Sequence, residues 1–161
     1  VLITGGSSGA EGLNALVESA LPFLTRHCQI LQMTGKGDAP IFERRHVRVP
    51  FFGPELKDVY AAADLLIARA GLSTMTEAGV LGIPTILVPI PNSHQEGNAR
   101  YFEKRGVAMV LAQSLSPEVF ADKVLEILNN FEKRRTLSDK AKAFFPGDAA
   151  RRLVSILKSC V

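Results

Sequence analysis

Polar residues in the segment from Ala63 to Ala99 cluster where predicted strands end and predicted helices begin. Ser73 and Thr74 follow Gly71 at the start of one helix, and Glu77 lies one helical turn further on. Free N–H groups at a helix start bind anions, and nearby hydroxyls add hydrogen bonds. A carboxylate one turn away can accept hydrogen bonds from the vicinal hydroxyls of a ribose. The pattern indicates a small anionic ligand with hydroxyl groups, and a nucleotide sugar fits best.

The same residues also have purely structural interpretations. A serine at the position of Ser73 is a common helix N-cap. Glu77 is a favourable charge near a helix N-terminus, or the acidic partner of a capping box. The binding interpretation therefore depends on whether neighbouring segments carry compatible groups.

A second polar cluster follows the predicted strand 84–88. Gln95 and Asn98 are three residues apart in a predicted helix over 95–105, so both can point the same way, toward sugar hydroxyls. His94 is more typical of a surface or capping histidine than of a catalytic one. No second histidine or carboxylate follows at ligand spacing, so this cluster does not predict a metal site.

A glycine-rich turn, Gly5 to Ala10, joins the first predicted strand to the first helix. At this turn Gly6 permits a tight backbone, and the amides and hydroxyls of Ser7 and Ser8 can face an anion. A strand–helix turn without a ligand remains the alternative. The glycine spacing differs from the dinucleotide fingerprint, and the second strand ends without a carboxylate, which argues against NAD.

The order of elements predicts a doubly wound α/β fold. Strands at 1–4, 29–33, 46–52, 64–68, 84–88 and 108–111 alternate with helical segments. Further helices are predicted over 132–144 and 148–159, and Ser116 and Pro117 mark the start of another. Continuously apolar strands indicate a parallel sheet covered on both faces. We expect one Rossmann-like domain over residues 1–161.

Composition excludes several classes of protein. The 161 residues are 47% apolar and carry a net charge of +3, with basic residues mostly dispersed, so nucleic acid is not an expected partner. Paired basic residues leave an anionic lipid surface open as a partner. Cys28, in an apolar strand, and Cys160 lack metal or redox spacing and indicate a reducing compartment. His27 and His46 are expected to be incidental strand-edge residues. Because the chain starts at Val1 inside a strand, we expect it to be cut from a longer protein.

Several motifs occur together in a specific order and spacing. They are Gly5–Ala10, Ala63-Asp64, Arg69-Ala70-Gly71, Thr76-Glu77-Ala78 and His94-Gln95-x-x-Asn98-Ala99. Together they closely resemble the C-terminal half of the MurG family, in glycosyltransferase family 28, over nearly the whole chain. The resemblance implies the GT-B architecture, two Rossmann-like domains facing a cleft. It also implies inverting transfer of N-acetylglucosamine from UDP-GlcNAc to undecaprenyl-pyrophosphoryl-muramoylpentapeptide, which converts lipid I to lipid II in peptidoglycan synthesis.

The resemblance also implies roles for individual residues. The diphosphate would contact Gly6, Ser7, Ser73 and Thr74. The uracil would contact the backbone around Phe52 and Gly53, and the ribose would contact Glu77. The N-acetylglucosamine would contact Gln95 and Asn98. No metal or other cofactor is expected, and the sequence has no Asp-x-Asp motif. The catalytic base and the lipid-binding surface would belong to an N-terminal domain that these residues do not include. The chain alone would then bind donor weakly and have little activity. The implied location is cytoplasmic, peripheral on the inner face of the bacterial cell membrane.

Two other assignments are compatible with the sequence. One is a different GT-B protein, either another UDP-sugar transferase or a UDP-GlcNAc 2-epimerase. The other is a stand-alone donor-binding subunit that recruits a separate acceptor-binding chain.

Overall fold

The computed structural model describes residues 1–5, 11–35 and 40–159. Within them, seven strands form one sheet in the order β3-β4-β2-β1-β5-β6-β7. Their bounds are β1 Leu2–Thr4, β2 Ile30–Met33, β3 Ile41–Phe42, β4 His46–Val49, β5 Leu66–Ala68, β6 Thr85–Leu87 and β7 Met109–Val110. The predicted α/β fold with a doubly wound sheet is confirmed.

The helices mostly follow strands, as predicted. Their bounds are α1 Glu11–Leu24, α2 Leu56–Ala61, α3 Leu72–Leu81, α4 His94–Lys104, α5 Pro117–Leu128, α6 Phe131–Phe144 and α7 Ala149–Ser159. The predicted start of α5 is confirmed, because the Ser116 side chain accepts a hydrogen bond from the Val119 N–H and Pro117 is the first helical residue. Every side chain of α7 is exposed, so this helix adds nothing to the core.

Helices cover the sheet on both faces. Along β5 and the residue before it, Leu65 and Ile67 pack with α1 and α5, whereas Leu66 and Ala68 pack on the opposite face with α2 and α3. Helices α4 and α6 extend this second layer. All four of these strand side chains are fully buried, which is why the strand is apolar at every position rather than at alternate ones.

The central strands are parallel, and their order reverses between β1 and β5. From β1 the chain moves outward through β2 to β4; after α2 it returns to β5 and moves the other way. In open α/β sheets, ligands bind outside the carboxyl ends of the strands at such a reversal. The topology therefore indicates a ligand site at the carboxyl ends of β1 and β5.

Strand β3 was not predicted, and it pairs antiparallel with β4 at the sheet edge. Its two residues are too few to produce a sequence pattern. The predicted strand 46–52 was too long, because β4 ends at Val49. The next residue, Pro50, has no N–H to donate to a sheet ladder. Cys28 lies in the segment just before β2, not within a strand.

The expectation that His46 is an incidental strand-edge residue was wrong. Its side chain is buried, and its Nε2 lies 2.9 Å from Gln32 Oε1. Gln32 Nε2 donates to Asn14 Oδ1, and Asn14 Nδ2 donates to the Thr34 carbonyl oxygen. Because the nitrogen of the Gln32 amide donates to Asn14, the atom facing His46 is the amide oxygen, which only accepts. His46 therefore carries a proton on Nε2. His27, in contrast, is exposed.

Candidate functional site

The carboxyl ends of β1 and β5 lie side by side at the reversal of strand order, with Thr4 paired to Ala68. The chain leaves β1 toward α1, and it leaves β5 toward α3 on the opposite face of the sheet. Gly6 and Ser7, predicted to contact a diphosphate, lie outside the described residues. The turn after β5 and the elements around it are therefore the part of the site that can be built from contacts.

Helix α3 starts without a side-chain cap. Gly71 is the N-cap residue, with extended backbone angles, and the first i→i−4 hydrogen bond joins the Met75 N–H to the Gly71 carbonyl oxygen at 3.1 Å. The N–H groups of residues 72–74 precede that bond and have no partner within the helix. The capping interpretation of Ser73 was therefore wrong. Ser73 is exposed and Thr74 half-buried, so this helix end can present amides and hydroxyls to a ligand.

Glu77 is exposed on α3, six residues after the N-cap Gly71, which rules out the capping-box interpretation. Its Oε2 accepts a 3.0 Å hydrogen bond from the hydroxyl of Tyr60 on α2. Burial, together with the charge of Glu77, raises the pKa of Tyr60, so the phenol remains a donor. Both side chains line a shallow, mostly apolar cavity of about 510 Å³ between α2 and α3.

Phe52 and Gly53 lie in the segment between β4 and α2. Phe52 is half-buried and packs against the core cluster that contains Tyr60. Gly53 is exposed, and its carbonyl oxygen accepts a 3.1 Å hydrogen bond from the Leu56 N–H. This segment therefore leads directly into the helix whose tyrosine contacts Glu77.

Ser93 caps α4 with its hydroxyl, which accepts a hydrogen bond from the Gln95 N–H at 3.2 Å. The Gln95 side-chain oxygen accepts a hydrogen bond from the Ile90 N–H at 3.3 Å. Asn98 Nδ2 donates at 3.0 Å to the carbonyl oxygen of Ala70, just before α3 begins. These bonds use the side-chain oxygen of Gln95 and one of the two side-chain N–H groups of Asn98. The Gln95 amide donor and the Asn98 side-chain oxygen have no partner in the described parts of the chain.

Arg69 is buried at the end of β5, and the sequence did not identify it as a site residue. Its Nη1 donates to the carbonyl oxygens of Val88 and Pro89 at 2.9 and 3.2 Å, and its Nη2 donates to Gln113 Oε1 at 2.6 Å. The guanidinium group thus joins the turn after β5 to the segments after β6 and β7. Because arginine stays protonated in proteins, it also adds positive charge beneath this edge of the sheet.

Two cavities lie at opposite ends of the parallel strands. One of about 390 Å³ lies beside α4 at the carboxyl edge and includes Pro89, Glu96 and Gln113. A larger one, of about 590 Å³, lies at the amino edge, where Arg44 and Arg134 contribute to its rim. The larger cavity is remote from the helix N-termini and from the strand ends at the reversal, so its size does not make it the better candidate.

In the described ranges, no group of three or more histidine, cysteine, aspartate or glutamate side chains is placed to hold a metal ion.

None of the described helices is both long and apolar enough to cross a membrane.

The chain is similar to proteins of a known family. The model of the glycosyltransferase family 28 C-terminal domain matches residues 1–153. The chain is 32% identical over 165 residues to the "UDP-N-acetylglucosamine--N-acetylmuramyl-(pentapeptide) pyrophosphoryl-undecaprenol N-acetylglucosamine transferase" of Trichodesmium erythraeum, covering 98% of this chain and 44% of that relative. It is 34% identical to the Ectopseudomonas mendocina protein of the same name, covering 97% of this chain and 47% of that one.

Solved structures agree with this relationship. MurG from Acinetobacter baumannii superposes with a TM-score of 0.81 at 29% identity, covering 98% of this chain and 48% of that one. The glycosyltransferase VinC, solved in complex with DTDP, has a TM-score of 0.69 at 17% identity over 98% of this chain and 41% of its own, and shares the fold alone. The chain spans slightly less than half the length of these relatives. Because the family model matches nearly its whole length, the chain belongs to glycosyltransferase family 28, as a C-terminal domain of that family.

Proposed function

We propose that this chain is the donor-binding domain of an inverting glycosyltransferase that moves N-acetylglucosamine from UDP-GlcNAc to undecaprenyl-pyrophosphoryl-muramoylpentapeptide. The relatives named for this reaction support the substrates. The observation that carries the proposal is the geometry around α3. Its uncapped N-terminus, Glu77 one turn beyond Ser73, and the Asn98 bond to Ala70 all lie where the strand order reverses.

In this proposal the N-terminal amides of α3, with the Ser73 and Thr74 hydroxyls, bind the diphosphate. Gly6 and Ser7 would add to this contact from the turn before α1. Glu77 accepts hydrogen bonds from the ribose hydroxyls, and the backbone around Phe52 and Gly53 contacts the uracil. The free amide donor of Gln95 and the side-chain oxygen of Asn98 face the N-acetylglucosamine.

The chemistry assigned to this domain is stabilisation of the leaving group. The acceptor hydroxyl oxygen attacks the anomeric carbon from the side opposite UDP, and the bond from that carbon to the diphosphate oxygen breaks. UDP leaves with the electron pair, and helix amides stabilise the growing negative charge. We propose that donor binding here needs no metal ion. The base that takes the acceptor proton belongs to another domain, as do the contacts with the lipid, at the inner face of the bacterial cell membrane.

Calorimetric titration with UDP, UDP-GlcNAc and UDP-glucose tests this proposal. We expect the chain to bind UDP and UDP-GlcNAc and to bind UDP-glucose more weakly. Glu77→Ala should remove most of this affinity, whereas Glu103→Ala, at another exposed helical carboxylate, should not change it. Absence of UDP binding by the folded chain at millimolar ligand contradicts the proposal. Equal binding of the two UDP-sugars contradicts the sugar assignment and favours another GT-B activity.

A further inference from the structure

The contact between Tyr60 and Glu77 links two helices that adjoin the site. Tyr60 is only 6% exposed, and its ring belongs to the core cluster formed with Leu66, Ala68 and Ala78. The ring therefore has little freedom to move. Its hydroxyl nevertheless reaches out of that core to Glu77 Oε2, at 3.0 Å. A rigid buried group thus holds one oxygen of an exposed carboxylate.

The direction of this hydrogen bond is fixed by chemistry. An ionised carboxylate only accepts, so the phenol must donate. Burial and the nearby negative charge raise the pKa of Tyr60, so the phenol keeps its proton at any pH at which the protein works. The phenol is therefore available as the donor to Glu77.

The bond restricts a side chain that is otherwise mobile. An exposed glutamate loses rotamer entropy when a ligand orders it, and this loss weakens binding. With Oε2 held by Tyr60, Glu77 Oε1 is the oxygen that remains for a ligand; it has no partner elsewhere in the described ranges. A carboxylate that is already oriented binds hydroxyl donors at a smaller entropic cost.

We propose that Tyr60 is a positioning residue for ribose recognition, which acts by orienting the Glu77 carboxylate toward the vicinal hydroxyls of a ribonucleoside diphosphate. This inference rests on the proposed function, in which Glu77 faces the ribose. A tyrosine that served only to join α2 to α3 would affect folding, but it would not distinguish ligands by their ribose hydroxyls.

The test compares two ligands on two variants. Wild-type chain, Tyr60→Phe and Tyr101→Phe are titrated with UDP and with 2′,3′-dideoxy-UDP, which lacks both ribose hydroxyls. Tyr60→Phe keeps the buried ring and removes only the donor, and a thermal melt checks its folding. Tyr101, the other tyrosine of the chain, is exposed and provides the matched control. We expect Tyr60→Phe to weaken UDP binding about fivefold, the effect of one net hydrogen bond. For the dideoxy ligand, the affinity of Tyr60→Phe should stay within about twofold of the wild-type affinity, a smaller change than the loss of one hydrogen bond causes.

A double-mutant cycle supplies a second measurement. In a Glu77→Ala background no side-chain acceptor remains for the phenol, so adding Tyr60→Phe should not weaken UDP binding further. Equal weakening of both ligands, or UDP binding by Tyr60→Phe that matches wild type, overturns the inference and leaves the proposed function intact. A wild-type chain that binds no UDP overturns both. A wild-type chain that binds both ligands equally well removes the ribose role of Glu77, and the role of Tyr60 with it.

Discussion

Asn98 Nδ2 donates a 3.0 Å hydrogen bond to the carbonyl oxygen of Ala70 and so attaches helix α4 to the turn that begins α3. The two helices follow different strands, β5 and β6, which are adjacent and parallel in the sheet. The Asn98 amide therefore links the part of the site proposed for the diphosphate to the part proposed for the sugar.

Asn98→Ala should reduce affinity for UDP-GlcNAc about fivefold, the effect of one net hydrogen bond, because it removes the side-chain oxygen proposed to bind the sugar together with the amide donor to Ala70. Affinity for UDP should fall less, since UDP lacks the N-acetylglucosamine that Asn98 is proposed to bind. Calorimetry on the variant and on Asn129→Ala, an exposed asparagine at the end of α5, provides the comparison. An equal decrease for both ligands contradicts the assignment of Asn98 to the sugar.

Arg69→Met should lower the free energy of unfolding by about 3 kcal/mol, because it leaves the Val88 and Pro89 carbonyl oxygens and the Gln113 side chain without their buried donor. Arg69→Lys keeps the charge but not the forked donor geometry, and should recover less than half of that loss. Urea unfolding measures both variants. A lysine variant as stable as wild type would show that charge alone matters here.

Gly79→Ala and Gly97→Ala should change stability in opposite directions. A Cβ at Gly79 on α3 would clash with the ring of Phe145, so the phenylalanine ring must move, at a cost of about 1–3 kcal/mol. A Cβ at Gly97 on α4 meets nothing within 4 Å, so alanine there should stabilise by about 0.5–1 kcal/mol through helix propensity. Thermal unfolding of both variants checks this, and destabilisation of similar size in both would refute it.

His46 should make folding stability depend on pH. Burial lowers the pKa of His46 below the usual 6.5, although Glu43 and Glu18 oppose the shift and Arg48 adds to it. The unfolded chain therefore binds a proton at higher pH than the folded chain does. The stabilisation is complete above about pH 7 and is lost as pH falls through 6.5 toward the lower folded-state pKa.

Urea unfolding at pH 7.5 and 5.5 measures this effect. His46→Gln should lose less stability between the two values than wild type does, and His27→Gln, at an exposed histidine, should behave like wild type. A His46→Gln variant with the wild-type pH response would show that other groups cause the dependence.

The fold was predictable because its signals are local. The sequence contains apolar segments of four or five residues, which predict strands. Between them lie glycine turns and segments with apolar residues at helical spacing, which predict helices. The two-residue strand β3 gives no such signal, and its existence depends on pairing with β4. The sequence predicts a helix over 73–81, whereas α3 starts one residue earlier, at Leu72. Ser73 is a statistically favoured cap, but the extended backbone of Gly71 starts the helix earlier.

The candidate site was predictable as a set of residue types, but not as a set of contacts. Tyr60 and Glu77 are 17 residues apart on two helices, and only the packing of α2 against α3 brings them together. A buried tyrosine requires a hydrogen-bond partner, which was the available signal, but sequence does not say which partner. Burial of His46 likewise depends on the pairing of β4 with β2, which places Gln32 within reach.

Mapping of backbone amide NMR shifts during titration with UDP tests the central claim most directly. We expect the largest shifts at Leu72, Ser73 and Thr74, whose N–H groups have no partner within α3, with further shifts at Glu77 and in the segment around Gly53. A contradicting result would appear at the other end of the sheet. Shifts confined to the amino-edge cavity, around Arg44, Asn129 and Arg134, would show that the nucleotide binds at the wrong end of the sheet and would contradict the account.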